Sequence, residues 1–90
     1  MKTTYDLTIR SNRTDYKIKD RLCSGTRQSV GYNEVIFELD QTRNWFARDH
    51  FSLKPGFKVL PEGDSYEYVV TSVSYHDKRP YKTILKTVRL

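Results

Sequence analysis

Tyr66-Glu67-Tyr68-Val69-Val70-Thr71-Ser72-Val73-Ser74-Tyr75 is the stretch on which the fold turns. Seven of its ten residues are aromatic or β-branched, side chains that pack well on a pleated surface and lose rotamer freedom in a helix. Period two sets Tyr66, Tyr68 and Val70 on one face and Glu67, Val69, Thr71, Val73 and Tyr75 on the other. Turn chemistry brackets it. Pro61-Glu62-Gly63-Asp64-Ser65 precedes it and His76-Asp77-Lys78-Arg79-Pro80 follows, leading into a last strand over 81–88.

Working outward, the same alternation recurs. Tyr5, Leu7 and Ile9 oppose Asp6, Thr8 and Arg10. Tyr16, Ile18 and Leu22 oppose Lys17, Lys19 and Arg21, with Asp20 as a polar intruder on the apolar face. Val35, Phe37 and Leu39 alternate with Glu34, Ile36 and Glu38. A short strand holds Phe57 and Val59 after the Lys54-Pro55-Gly56 turn. Ser24-Gly25-Thr26-Arg27-Gln28-Ser29 reads as a loop by composition. Asp40 or Thr42 could cap a short helix through Trp45, Phe46 and Ala47.

Strands at intervals of about ten residues, joined by short turns, define an all-β chain: a small antiparallel β-barrel or SH3-like meander of five to seven strands with at most one short helix. Composition agrees, with nine Thr, seven Val and seven Tyr against a single Ala. Residues 1–90 form one β domain. The expected interior is Leu7, Ile9, Ile18, Leu22, Val35, Phe37, Leu39, Val59, Val69, Val73, Ile84 and Val88.

Several classes are excluded. One Cys cannot form a disulfide framework within the chain. No apolar run approaches the roughly 20 residues a spanning helix needs. Val, Ile, Leu, Phe, Tyr and Trp supply 30 residues, too many for a disordered chain. No apolar segment follows the first basic residue, so a whole small product of a reducing cytoplasm is expected, with Cys23 a structural thiol.

The formal net charge is +5 and it is segregated. Residues 1–29 hold seven basic and three acidic side chains, residues 30–65 four and six, and residues 66–90 five and two. If the first and last strands are neighbours, positive charge gathers on one side, a polarity that favours head-to-tail contacts or a charged partner.

No constellation points to catalysis. His50 and His76 lie far apart, and adjacency to Asp49 and Asp77 gives no dyad, because neighbours on a strand face opposite ways. No glycine-rich phosphate loop is present, and one Cys with two distant His gives no metal spacing. The expectation is therefore a non-enzyme with no cofactor, no metal and no small-molecule substrate. A basic and aromatic surface is expected from Lys17, Lys19, Arg21, Lys78, Arg79, Lys82 and Lys86 with Tyr66, Tyr68 and Tyr81. Basic side chains neutralise phosphates and aromatic faces stack bases, so nucleic acid is one possible partner. Exposed strand edges could instead add a strand from a protein partner.

From Glu34 onward the order of elements resembles the head–tail joining and head-closure proteins of long-tailed bacteriophages. The strand Val35-Ile36-Phe37-Glu38-Leu39 is followed by a polar connection containing Asp49-His50-Phe51. Leu53-Lys54-Pro55-Gly56-Phe57-Lys58-Val59 then leads into Tyr66-Glu67-Tyr68-Val69-Val70 and Val73, a charged turn and a final strand. The match spans about 55 residues of hairpin-type motifs; the chain departs from the family in its short N-terminal portion and its long 61–65 turn. The resemblance implies a small β-barrel at the connector between capsid and tail, self-associating in a ring or joining a connector protein. Assembly would use the loop carrying Arg43, Trp45, Phe46, Arg48 and His50, in the host cytoplasm and then the virion, with no membrane. Alternative readings are a basic barrel binding nucleic acid and a small phage-encoded inhibitor of a host protein.

Overall fold

The computed structural model describes residues 4–11, 19–47 and 51–90. Six strands and one helical turn are present among them: β1 (Tyr5–Arg10), β2 (Arg21–Gly31), β3 (Glu34–Leu39), α1 (Arg43–Phe46), β4 (Lys58–Pro61), β5 (Tyr68–His76) and β6 (Lys82–Arg89). They close into an antiparallel barrel in the order β1-β2-β3-β6-β5-β4, with β4 pairing back onto β1. The chain is thus two three-stranded meanders that complete each other. The all-β expectation holds, with α1 as the single helical turn among the described residues.

Two positions make closure possible. β2 pairs with β1 through its first half and with β3 through its second, and Gly25 belongs to both ladders, facing Tyr5 and Leu39. A Cβ at Gly25 would lie 2.3 Å from the Glu38 carbonyl oxygen, so only glycine lets the three strands turn this corner. In β5, Thr71 is an extra residue between the Val70–Thr87 and Ser72–Lys86 pairs. Its hydroxyl donates to the Lys86 carbonyl at 3.1 Å, filling the gap in the ladder. The bulge reverses the facing of everything after it: Tyr68 and Val70 point inward before it, Val73 and Tyr75 after it.

The interior is filled by Leu7, Ile9, Val35, Phe37, Leu39, Val59, Tyr68, Val70 and Leu85. Phe37 and Tyr68 meet edge to face at 5.4 Å. Thr83 and Thr87 also point inward, their hydroxyls satisfied by the carbonyls of Gln41 at 2.8 Å and Val35 at 2.7 Å. One end of the barrel is stoppered by α1 and the segment after it. Thr42 caps the helix, its Oγ1 accepting from the Trp45 N–H at 3.3 Å, and Phe46, Phe51, Leu53 and Phe57 pack beneath.

Several expectations are corrected. The segment 24–29 is strand, because two neighbouring strands use its backbone groups whatever its composition favours. Leu22 lies outside and is 76% exposed. Val69, Ile84 and Val88 face outward and are half-buried, the inward places being taken by Val70, Thr83, Leu85 and Thr87, while Val73 is partly buried against the core. The first and last strands are not neighbours: β1 lies between β2 and β4, and β6 between β3 and β5, so the two stand across the barrel from each other. Positive charge from the two termini is therefore not pooled. Closure gives every strand two neighbours, but residues 26–31 of β2 and 72–76 of β5 each pair with one neighbour only, so stretches of strand edge remain there. Ile18, with Tyr16 and Lys17, lies outside the described residues.

Candidate interaction surfaces

The expected basic and aromatic surface does not form as one patch. Tyr68 is buried at 2% exposure, its hydroxyl donating to Asp64 at 2.9 Å and accepting from Arg27 at 2.9 Å. Arg21 is clamped against the rings of Trp45 and Phe51, 5.3 and 5.1 Å from their centroids. Lys82 is held by Glu38 and Asp40 at 3.4 and 3.5 Å. Tyr66 is half-exposed and covered by the Arg89 guanidinium at 4.3 Å. Lys19, Lys78, Arg79, Tyr81 and Lys86 are exposed but belong to different parts of the surface: Lys19 precedes β2, Lys78, Arg79 and Tyr81 sit at the β5–β6 turn, and Lys86 is in mid-β6. Lys17 lies outside the described residues.

The expected assembly loop is also redistributed. Phe46 is 1% exposed and belongs to the core, and Trp45 packs against it. Arg43 is the exposed member, stacked 4.4 Å from the Tyr75 ring and 3.9 Å from Asp77. Arg48 and His50 lie outside the described residues. Loop aromatics that look available in sequence are spent on closing the barrel end, because a domain this small has little other apolar mass to do it.

The opposite end is closed by a charged plug. Arg27 donates to Asp64 at 2.9 Å and lies over the rings of Tyr5, Phe37 and Tyr68 at 5.3 to 5.9 Å. Burial pushes the Asp64 carboxyl up, but hydrogen bonds from the Tyr66 N–H, Arg27 and Tyr68 outweigh it and leave it below the ordinary carboxylate value. Burial, then the Asp64 carboxylate, raises the Tyr68 phenol. Burial likewise pushes the Cys23 thiol up to about 12, which keeps it protonated and weakly nucleophilic at neutral pH. His76 holds the Pro80 carbonyl at 3.0 Å through Nδ1.

What remains is the outside of the barrel wall, where apolar residues stand among polar and charged ones. Across β2, β1 and β4 the register sets Leu22, Thr8 and Leu60 side by side, next to a row formed by Ser24, Asp6 and Glu62. Across β3, β6 and β5 it aligns Glu34 with Val88 and Val69, Ile36 with Lys86 and Ser72, and Glu38 with Ile84 and Ser74. The β2–β3 bulge pushes Val30 outward to 47% exposure, and Tyr32 at the hairpin tip is 92% exposed. Each wall holds a groove, about 660 Å³ on the β1 side and about 260 Å³ on the β6 side. Sequence reasoning missed both because it assigned Leu22, Val69, Ile84 and Val88 to the core.

Fold and surface together define a small closed six-stranded antiparallel barrel with apolar side chains set among charged ones on its outer wall. Compared with protein-family models, with curated proteins and with solved structures, the chain finds no match in any of the three. Among the described residues, no helix is long and apolar enough to cross a membrane, and no three His, Cys, Asp or Glu converge as metal ligands.

Proposed function

We propose that this barrel is a non-enzymatic assembly module that works by protein–protein contact, and that its place is the head–tail connector of a long-tailed bacteriophage virion. The observation that carries the reading is the outward set Leu22, Val30, Ile36, Val69, Ile84 and Val88 on the walls of a barrel that already has a full core. Apolar side chains set among charges on the outside of a closed barrel fit a protein interface. The connector assignment draws on the order of elements from Glu34 onward, which resembles head–tail joining proteins, and on a small barrel suited to repeating around a ring.

The test is the composition of particles. Purified virions of the phage encoding this chain are expected to contain it in a fixed ratio to the portal, and removal of its gene to leave filled heads and unattached tails in electron micrographs. Intact virions without the protein overturn the connector assignment. A chain that co-purifies instead with one host protein would favour the inhibitor reading.

A further inference from the structure

Past its bulge, β5 keeps one neighbour and loses the other: residues 72–76 pair with β6 alone. In an antiparallel ladder, alternate residues turn their main-chain groups to opposite sides. In β6 the Arg89 N–H donates to the Asn33 carbonyl at 2.8 Å, on the β3 side, and the Leu90 N–H to the Glu67 carbonyl at 3.0 Å, on the β5 side. Lys86 and Ile84 share the parity of Leu90, so their partners Ser72 and Ser74 bond to β6. Val73 and Tyr75 are left facing away from it. Before the bulge Val70 faces the same way, and there Phe57 and Gly56 take its N–H and carbonyl at 2.8 and 2.7 Å. No described residue does this for Val73 or Tyr75. Their N–H and C=O groups stand open on an edge without the Lys or Pro that commonly guards one.

The surroundings of this edge select a sequence class. Val73 packs partly against the core, and Tyr75 lies half-buried beneath the Arg43 guanidinium, 4.4 Å from the ring centroid. Ser72, Ser74 and His76 are exposed on the other face. Lys78 and Arg79 follow in the turn, both exposed and without a carboxylate partner among the described residues. Asp77 is the one carboxylate among them, 3.9 Å from Arg43, and offsets one of these three cations. Lys82, across the ladder from His76, is already held by Glu38 and Asp40.

We propose that the Val73–Tyr75 edge takes up an acidic extended segment of a protein partner as an added antiparallel strand. Main-chain hydrogen bonds to Val73 and Tyr75 hold the segment. Its residue opposite Val73 is apolar, and the one opposite Tyr75 is acidic and meets Arg43. Further carboxylates beyond that point meet Lys78 and Arg79. Side chains opposite Ser72, Ser74 and His76 point to water and are unconstrained. The proposal rests on reading the chain as an assembly module and names the kind of segment that module binds.

The probe is the end-capped peptide Glu-Glu-Thr-Glu-Thr-Val-Thr, titrated into the isotope-labelled full chain, with amide exchange read residue by residue. In the free protein Ser72 and Ser74 should exchange slowly and Val73 and Tyr75 fast. The peptide should slow Val73 and Tyr75. Methylating the backbone nitrogens of the two peptide residues opposite them removes two donors and should weaken binding at least about tenfold. The double variant Lys78→Glu/Arg79→Glu, at exposed turn positions, should weaken it about tenfold at low salt. A peptide with lysine in place of each glutamate should bind at least about tenfold more weakly than the acidic one. An unchanged circular dichroism spectrum checks the fold of the variant.

Absence of binding overturns the proposal, as does binding undiminished by N-methylation or a lysine peptide that binds as well. Protection of Val73 and Tyr75 in concentrated protein without peptide also overturns it, since the occupant is then a second copy. The two readings fail separately. Presence in virions with a silent edge retains the connector and discards the added strand. Peptide binding at the edge without presence in virions retains the added strand and discards the connector.

Discussion

Arg27 reaches across the mouth of the barrel to Asp64, 37 positions away in sequence, and both its terminal nitrogens are used: one donates to the carboxylate at 2.9 Å, the other to the Tyr68 hydroxyl at 2.9 Å. The guanidinium lies over three aromatic rings, so removing it would uncover the same end of the core that the ion pair closes.

The first prediction concerns acid. Asp64 titrates below its ordinary value of 3.8 in the folded barrel, so its contribution is complete above the unfolded value. It is lost as pH falls through the lower folded value. Asp64→Asn is expected to cost about 1–3 kcal/mol at neutral pH. In urea titrations its midpoint should approach that of wild type as the pH is lowered through the carboxylate range. A deficit that stays constant with pH would show that Asp64 acts through shape alone.

At alkaline pH the sign is opposite. Tyr68 is raised above 10.0 when folded, so its contribution is present below the unfolded phenol value and lost as pH rises through the folded one. Tyr68→Phe should flatten the alkaline arm of the stability profile, as read by thermal melts across that range.

Inward and outward positions should separate cleanly. Phe37→Ala is expected to cost about 3–5 kcal/mol, a large part of the stability of a domain this size. Ile84→Thr, on the outer wall, should cost less than about 1 kcal/mol in the same denaturation assay. Equal losses would refute the assigned facing of β6.

Gly25→Ala places a methyl 2.3 Å from the Glu38 carbonyl oxygen and 2.9 Å from the Leu39 Cα, both backbone atoms that cannot swing aside. A loss of about 1–3 kcal/mol is expected, of the size produced by overpacking. Hydrogen exchange should rise at Ser24 and Asp40 together, because at that corner the Asp40 N–H donates to the Ser24 carbonyl and the Ser24 N–H donates to the Gln41 side-chain oxygen.

Labelling of Cys23 reports the same corner. With its thiol pushed up to about 12 and its side chain buried, it should resist a maleimide or disulfide reagent at pH 8 in the native protein and react fully in denaturant. Rapid native labelling would mean that β1 and β2 part readily there.

The architecture was legible because period two survives in β1, β3 and β5, where Leu7 and Ile9, Phe37 and Leu39, and Tyr68 and Val70 each alternate with polar or outward residues. The facing of β6 was not legible. Thr83-Ile84-Leu85 and Thr87-Val88 offer apolar residues on both parities, and the decision falls to the Gln41 and Val35 carbonyls, which accept the two inward hydroxyls. Nor does any local signal mark Thr71 as an extra residue; the register of β6 creates the bulge. Residues 24–29 of β2 read as a loop since Ser, Gly and Gln are weak strand formers, yet tertiary pairing overrides that preference. The interaction surfaces were hidden for the same reason. Leu22 and Ile84 look like core residues until the pleat is known, and Trp45 and Phe46 look like surface anchors until the barrel end needs filling.

The β4–β5 contact is the shortest of the six. Its ladder holds Lys58–Val69 and Val59–Tyr68, extended by the Gly56 and Val70 N–H bonds to the Val70 and Phe57 carbonyls. Breathing of the cylinder therefore has a direction. The stave expected to loosen first is β4, still moored to β1, and the slit it would open leads to Val59 and Tyr68 while the long β3–β6 flank stays laced like the spine of a book.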